Sequence, residues 1–133
     1  MEELSERELG ERAVELVKAH FDAVNRADAD VVRAQLFQPT HAPPMPLETY
    51  VAKLIALRPF DLKVATSTGW RPPHETQHGV VATVWVTVEF TQRSLGSRTE
   101  RLPVWWFPDT SNLLIAVRRH DWIEESRSGV SGK

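Results

Sequence analysis

Three groupings of side chains in this sequence are of types that could do chemistry. His20 sits on the apolar stripe of an amphipathic segment, where a neutral imidazole can donate a hydrogen bond to developing negative charge. Arg119 and Asp121 stand two apart in an alternating segment, on the side shared with Leu113, Ile115 and Val117, so a strand there turns both inward. An ion pair of that kind holds a carboxylate ready for acid–base work or anchors a polar group of a ligand. His20 and Asp121 are therefore the candidate catalytic residues. Each has a competing reading: for His20 a core histidine satisfied by one hydrogen bond, for Arg119 and Asp121 a solvated pair at a strand end.

The third grouping is Trp85 and Glu89, which share one side of an alternating run. If the aliphatic side of that run faces the core, both belong to a subunit interface together with Leu114 and Trp122. If the sides are reversed, Glu89 is a buried carboxylate with a raised pKa. Trp70 closes a run whose Leu62, Val64, Thr66 and Thr68 share its side, which makes it a pocket wall or a core residue. His41, His74 and His78 match no metal-ligand spacing and there is no cysteine, so neither a metal nor another cofactor is expected.

The element that must position these groups is Val80–Thr91. Val80, Ala82, Val84, Val86, Val88 and Phe90 alternate with Thr83, Trp85, Thr87, Glu89 and Thr91, the pattern of a long strand with one core face and one mixed face. Such a strand needs neighbours on both edges and a cover on its aliphatic side. From Ser5 to about Asn25, Leu9, Ala13, Leu16, Val17, His20, Phe21 and Val24 recur with helical spacing, and Ser5 with Glu8 forms a capping box. Asp28 caps a short second helix that runs to about Phe37 before Pro39. The proline-rich stretch Gln38–Pro46 is a loop, and Leu47 to about Leu57 is a third helix carrying Tyr50, Val51 and Leu54.

After Pro59 the period changes to alternation. Strands are expected at Asp61–Trp70, Gly79–Gln92, Arg98–Phe107 and Leu113–Ile123, joined by Arg71–His78, Arg93–Ser97 and Pro108–Asn112. Short connections imply an antiparallel meander, with Pro103 at a bulge or an unpaired edge and Trp105 and Trp106 on opposite faces. The expected fold is α+β, three N-terminal helices on one face of a curved antiparallel sheet of about four long strands, as a single domain over 1–124. Residues 125–133 are expected to form a disordered tail.

Composition narrows the function classes. With 16 basic and 18 acidic residues the net charge is −2, and no basic stripe is present to bind nucleic acid or an anionic membrane. The lack of cysteine, the charged N-terminus and the absence of a long apolar run lead us to expect a cytoplasmic protein.

His20-Phe21-Asp22-Ala23-Val24-Asn25-Arg26-Ala27-Asp28-Ala29-Asp30 followed by Leu36-Phe37, and Trp106-Phe107-Pro108-Asp109 with Leu114 to Arg119 near the other end, resemble the nuclear transport factor 2-like superfamily, which includes ketosteroid isomerases and SnoaL-like cyclases. The resemblance covers roughly residues 9–123 and implies a cone-shaped, cystatin-like domain with a pocket between helices and sheet, paired into a homodimer through the outer sheet face. It sets His20 where those isomerases carry a helix-1 tyrosine donor. Their general-base aspartate precedes a proline; here Met45 precedes Pro46, and methionine accepts no proton. The expectation is a pocket protein for an apolar ligand of up to polycyclic size, contacted by Phe21, Tyr50, Trp70 and Arg119. It would be either a lyase, cyclase or isomerase using acid–base chemistry, or a non-catalytic ligand-binding or dimerisation module.

Overall fold

A computed structural model of the chain describes residues 5–39, 46–57, 60–66, 70–92 and 96–117. Its elements are α1 (Glu6–Asn25), α2 (Ala29–Ala34), β1 (Leu36–Phe37), α3 (Leu47–Leu57), β2 (Phe60–Thr66), β3 (Arg71–Thr76), β4 (Gly79–Gln92), β5 (Gly96–Phe107) and β6 (Asn112–Ala116). Helix α1 starts at the capping box: the Ser5 hydroxyl accepts from Glu8 N and the Glu8 carboxylate accepts from Ser5 N, each at 3.1 Å. Asp28 caps α2 by accepting from Val31 N.

The architecture is α+β, with a mixed six-stranded sheet in the order β1-β6-β5-β4-β2 and β3 also paired to β4. Three expectations need correction. The second helix ends at Ala34, and Leu36–Phe37 pair parallel with β6 in the register Leu36↔Ile115, so a strand separates α2 from α3 and the helices do not all precede the sheet. Arg71–Thr76, expected as part of a connection, is a strand antiparallel to β4. Among the described residues the sheet therefore has six strands, and one of its pairings is parallel.

Strand β4 is long enough for two partners in series along one edge. Strand β3 takes its first residues (Thr76↔Gly79 to Arg71↔Thr83) and β2 its later ones (Thr66↔Val86 to Phe60↔Thr91), while β5 pairs along the other edge from Ala82↔Trp106 to Gln92↔Gly96. The β3–β4 turn is tight: Thr76 Oγ1 donates to Gly79 O and accepts from His78 N, both at 3.0 Å, and Gly79 adopts φ +108°, which favours glycine.

The aliphatic face of β4 is the core face. Ala82, Val84, Val86, Val88 and Phe90 are each at most 3 % exposed and form one cluster with Leu9, Ala13, Val17, Phe21 and Val24 of α1, Val32 of α2, and Tyr50, Val51 and Leu54 of α3. At about 1.5–3 kcal/mol for each large apolar side chain buried, this face outweighs any surface ion pair in the molecule. On the other face Trp85 and Thr87 are half-buried and Glu89 is exposed. The pairings carry this parity to β5, where Trp106 opposite Ala82 points inward and Trp105 opposite Thr83 points outward.

Pro103 is explained by the same alternation. Ile115 and Val117 donate to Gln35 O and Phe37 O, toward β1, so the alternate members Leu114 and Ala116 turn toward β5. Pro103 stands beside Ala116 with no N–H to offer, and the β5–β6 register stops one residue short of it, at Val104↔Ile115. Its pairing with Trp85 of β4 is unbroken, so it marks the end of a ladder and not a bulge. Among the described residues no helix is long and apolar enough to cross a membrane.

Candidate functional site

Between α1 and the inner face of the sheet lies a recess of about 890 Å³. Its floor is Val84 of β4 and Trp70, which immediately precedes β3; Gly10 and Val14 form its helical wall, and Glu6, Arg7, Glu11 and Glu15 form its rim. These six α1 residues fall on two i, i+4, i+8 rows beside the core stripe of Leu9, Ala13 and Val17, so the recess opens where the helix surface turns from core to solvent. Arg7 and Glu11 pair at 3.3 Å on the exposed rim. Trp70 packs against the core cluster, and among the described residues its buried Nε1–H has no hydrogen-bond partner. A buried donor left in that state costs about 1–3 kcal/mol.

His20 lines neither this recess nor the two smaller ones described below. It is 3 % exposed in the core, where its Nδ1–H donates to Gln35 Oε1 at 3.0 Å and its ring meets Phe21 edge-on. Burial pushes the imidazole down to about 4, with the Gln35 hydrogen bond acting in the opposite direction, so it is neutral at physiological pH. Gln35 also accepts from Ile115 N at 2.9 Å through its own carbonyl. The pair thus ties α1 to the junction of α2 and β1, and through it to β6.

The remaining expected site residues separate into three places. Phe21 and Tyr50 lie in the main core with His20, Phe21 packing on Phe90 at 5.6 Å between ring centroids. Trp85, Glu89 and Leu114 share the outer sheet face, as a common interface would require. There the Arg101 guanidinium lies 4.9 Å from the Trp85 ring centroid, and Glu89 stands opposite Lys63 and Thr99 beside a recess of about 180 Å³. Asp121, Arg119 and Trp122, together with Met45, His41 and residues 125–133, lie outside the described residues.

Sequence reasoning missed the α1 rim and the outer-face recess of about 300 Å³, whose walls include Arg71, His74, Trp85 and Trp105. Gly10 and Val14 were legible as a widening of the apolar stripe; nothing local marks Arg71 or His74. Among the described residues no group of three or more His, Cys, Asp or Glu could hold a metal ion.

No family model matches the sequence, and comparison with curated proteins finds no match. The fold and its recesses are therefore the basis for a functional reading.

Proposed function

We propose that the chain is a pocket protein of the nuclear transport factor 2-like class, whose inner recess binds a small, mainly apolar molecule. The observation that carries this reading is the recess of about 890 Å³ between α1 and the sheet, a size that suits a molecule of two to four fused rings. Support for the class comes from three helices contributing to one core on the inner face of a long-stranded sheet. Support for the ligand comes from the lining: Val84, Val14 and Trp70 offer apolar area.

The observations favour binding over turnover. His20, the candidate acid–base residue within the described chain, is committed to Gln35 and buried away from the recess. Titration with N-phenyl-1-naphthylamine, a neutral polycyclic dye that brightens in apolar surroundings, tests the reading. Saturable binding of one dye per chain is expected, with Val14→Trp, which projects an indole into the recess from its helical wall, weakening it at least about tenfold. Absence of saturable binding, or equal affinity in a folded Val14→Trp protein, would overturn it.

A further inference from the structure

The outer face of the sheet carries a second recess that the pocket reading does not use. Its floor is the β4–β5 ladder, Thr83 and Trp85 opposite Trp105 and Pro103, and its volume is about 300 Å³. Over it stand two side chains from β3, Arg71 and His74, both exposed. Three residues apart, they would point to opposite faces of a regular strand. Here they share one: Arg71 pairs with Thr83 and His74 with Val81, and a register shift at Pro72–Pro73 absorbs the odd residue. Thr83 and Val81 both belong to the outer face, so the diproline irregularity aims two basic groups at the same pair of indoles.

The character of the lining selects the ligand. Arg71 and His74 are the ionisable residues lining the recess, and no carboxylate among the described residues joins them. A guanidinium is a planar fork of donors that matches a carboxylate in two parallel hydrogen bonds. The Trp85 and Trp105 indoles and Pro103 offer flat apolar surfaces suited to a ring. The His74 ring is held back against the irregularity, Nδ1 donating to Pro72 O at 3.5 Å. A volume near 300 Å³ admits one or two fused rings and excludes a steroid-sized body.

We infer that this outer recess binds a small planar aromatic carboxylate, the ring between the tryptophans and the carboxylate on Arg71. Unlike a second copy of the chain, which needs a broad flat surface, such a ligand fits a concave site walled by β3. The test is calorimetric titration of the whole chain with 2-naphthoate, with 2-naphthalenemethanol as its uncharged counterpart. Saturable binding of one naphthoate per chain is expected in Val14→Trp, whose inner recess is obstructed. Removing the charge from either partner, by the alcohol or by Arg71→Gln at an exposed position, should weaken binding about tenfold or more. The alcohol should bind wild type and Arg71→Gln alike, and Val14→Trp, which obstructs only the inner recess, should leave the Arg71-dependent naphthoate binding intact. Failure of naphthoate to saturate, equal naphthoate affinity in Arg71→Gln, or loss of binding in Val14→Trp would overturn the inference. So would light scattering that finds a dimer at the titration concentration, unchanged by naphthoate and abolished by Trp85→Glu.

Discussion

Replacing His20 by phenylalanine should flatten the acid limb of the stability profile. The imidazole is 3 % exposed, and burial lowers its proton affinity from the usual 6.5 to about 4. Above pH 6.5 neither the folded nor the unfolded chain protonates this group, so it adds no pH dependence. Between 6.5 and about 4 the unfolded chain takes up a proton that the folded chain refuses, and stability falls as the pH falls. Below about 4 both states carry the proton and the loss is complete. At roughly 1.4 kcal/mol per pH unit, going from about pH 7.5 to about pH 5 removes about 2 kcal/mol through this one residue. Urea unfolding of both proteins at the two pH values measures it, because carboxylates titrating in the same range are common to both and cancel in the difference. Phenylalanine leaves the Gln35 amide without its donor, a loss of about 1–3 kcal/mol that is the same at either pH. The stability gap between the proteins should therefore narrow by about 2 kcal/mol on acidification. An unchanged gap would refute the assignment of a neutral, buried imidazole.

Gln92 is 1 % exposed at the C-terminal end of β4, and among the described residues neither its Oε1 nor its Nε2 has a hydrogen-bond partner. Gln92→Leu, of similar volume and apolar, should raise stability by about 1–3 kcal/mol in the same urea assay, and a fall would mean that the amide is satisfied. The neighbouring residues Glu89 and Phe90 test the face assignment. Phe90→Ala should cost about 3–5 kcal/mol by opening a cavity against Phe21, while Glu89→Ala should change stability by no more than about 0.5 kcal/mol. Similar losses at both positions would mean that the outer face is as buried as the core.

The elements legible in the sequence were those whose side chains meet a flat, two-sided environment. Strand β4 is half core and half surface along most of its length, so its alternation could be read without knowing any neighbour. Strand β3 is bound, among the described residues, to β4 alone, with five of its six residues exposed and two of the six proline. An edge strand tolerates missing N–H groups on its open side, and an exposed one leaves no hydrophobic period. Strand β1 was concealed for the opposite reason. Leu36 and Phe37 continue the apolar spacing of α2, and what turns them into a strand is the parallel pairing with Ile115 and Ala116, some eighty residues away. His20 shows a third limit, because a histidine on an apolar stripe reads alike whether it lines a pocket or is latched to Gln35, and Gln35 carried no mark of that role.

The two recesses are less independent than their opposite faces suggest. Trp70 floors the inner one and Arg71 walls the outer one, and these residues are consecutive at the start of β3. Likewise Val84 underlies the inner recess while its chain neighbours Thr83 and Trp85 underlie the outer. A single backbone is therefore the partition, and the period of two along it decides which ligand each side chain can reach. A one-residue slip of β3 against β4 would exchange the tryptophan and the arginine between faces, emptying both sites of their defining groups at once. The shift at Pro72–Pro73 fixes that register from the β3 side and the tight turn at Gly79 fixes it from the other end. Relaxing the irregularity while the turn holds Thr76 opposite Gly79 would push the slip back onto Arg71 and Trp70. Loss of both binding activities from one change in a two-residue segment that touches neither ligand is thus what this partition entails.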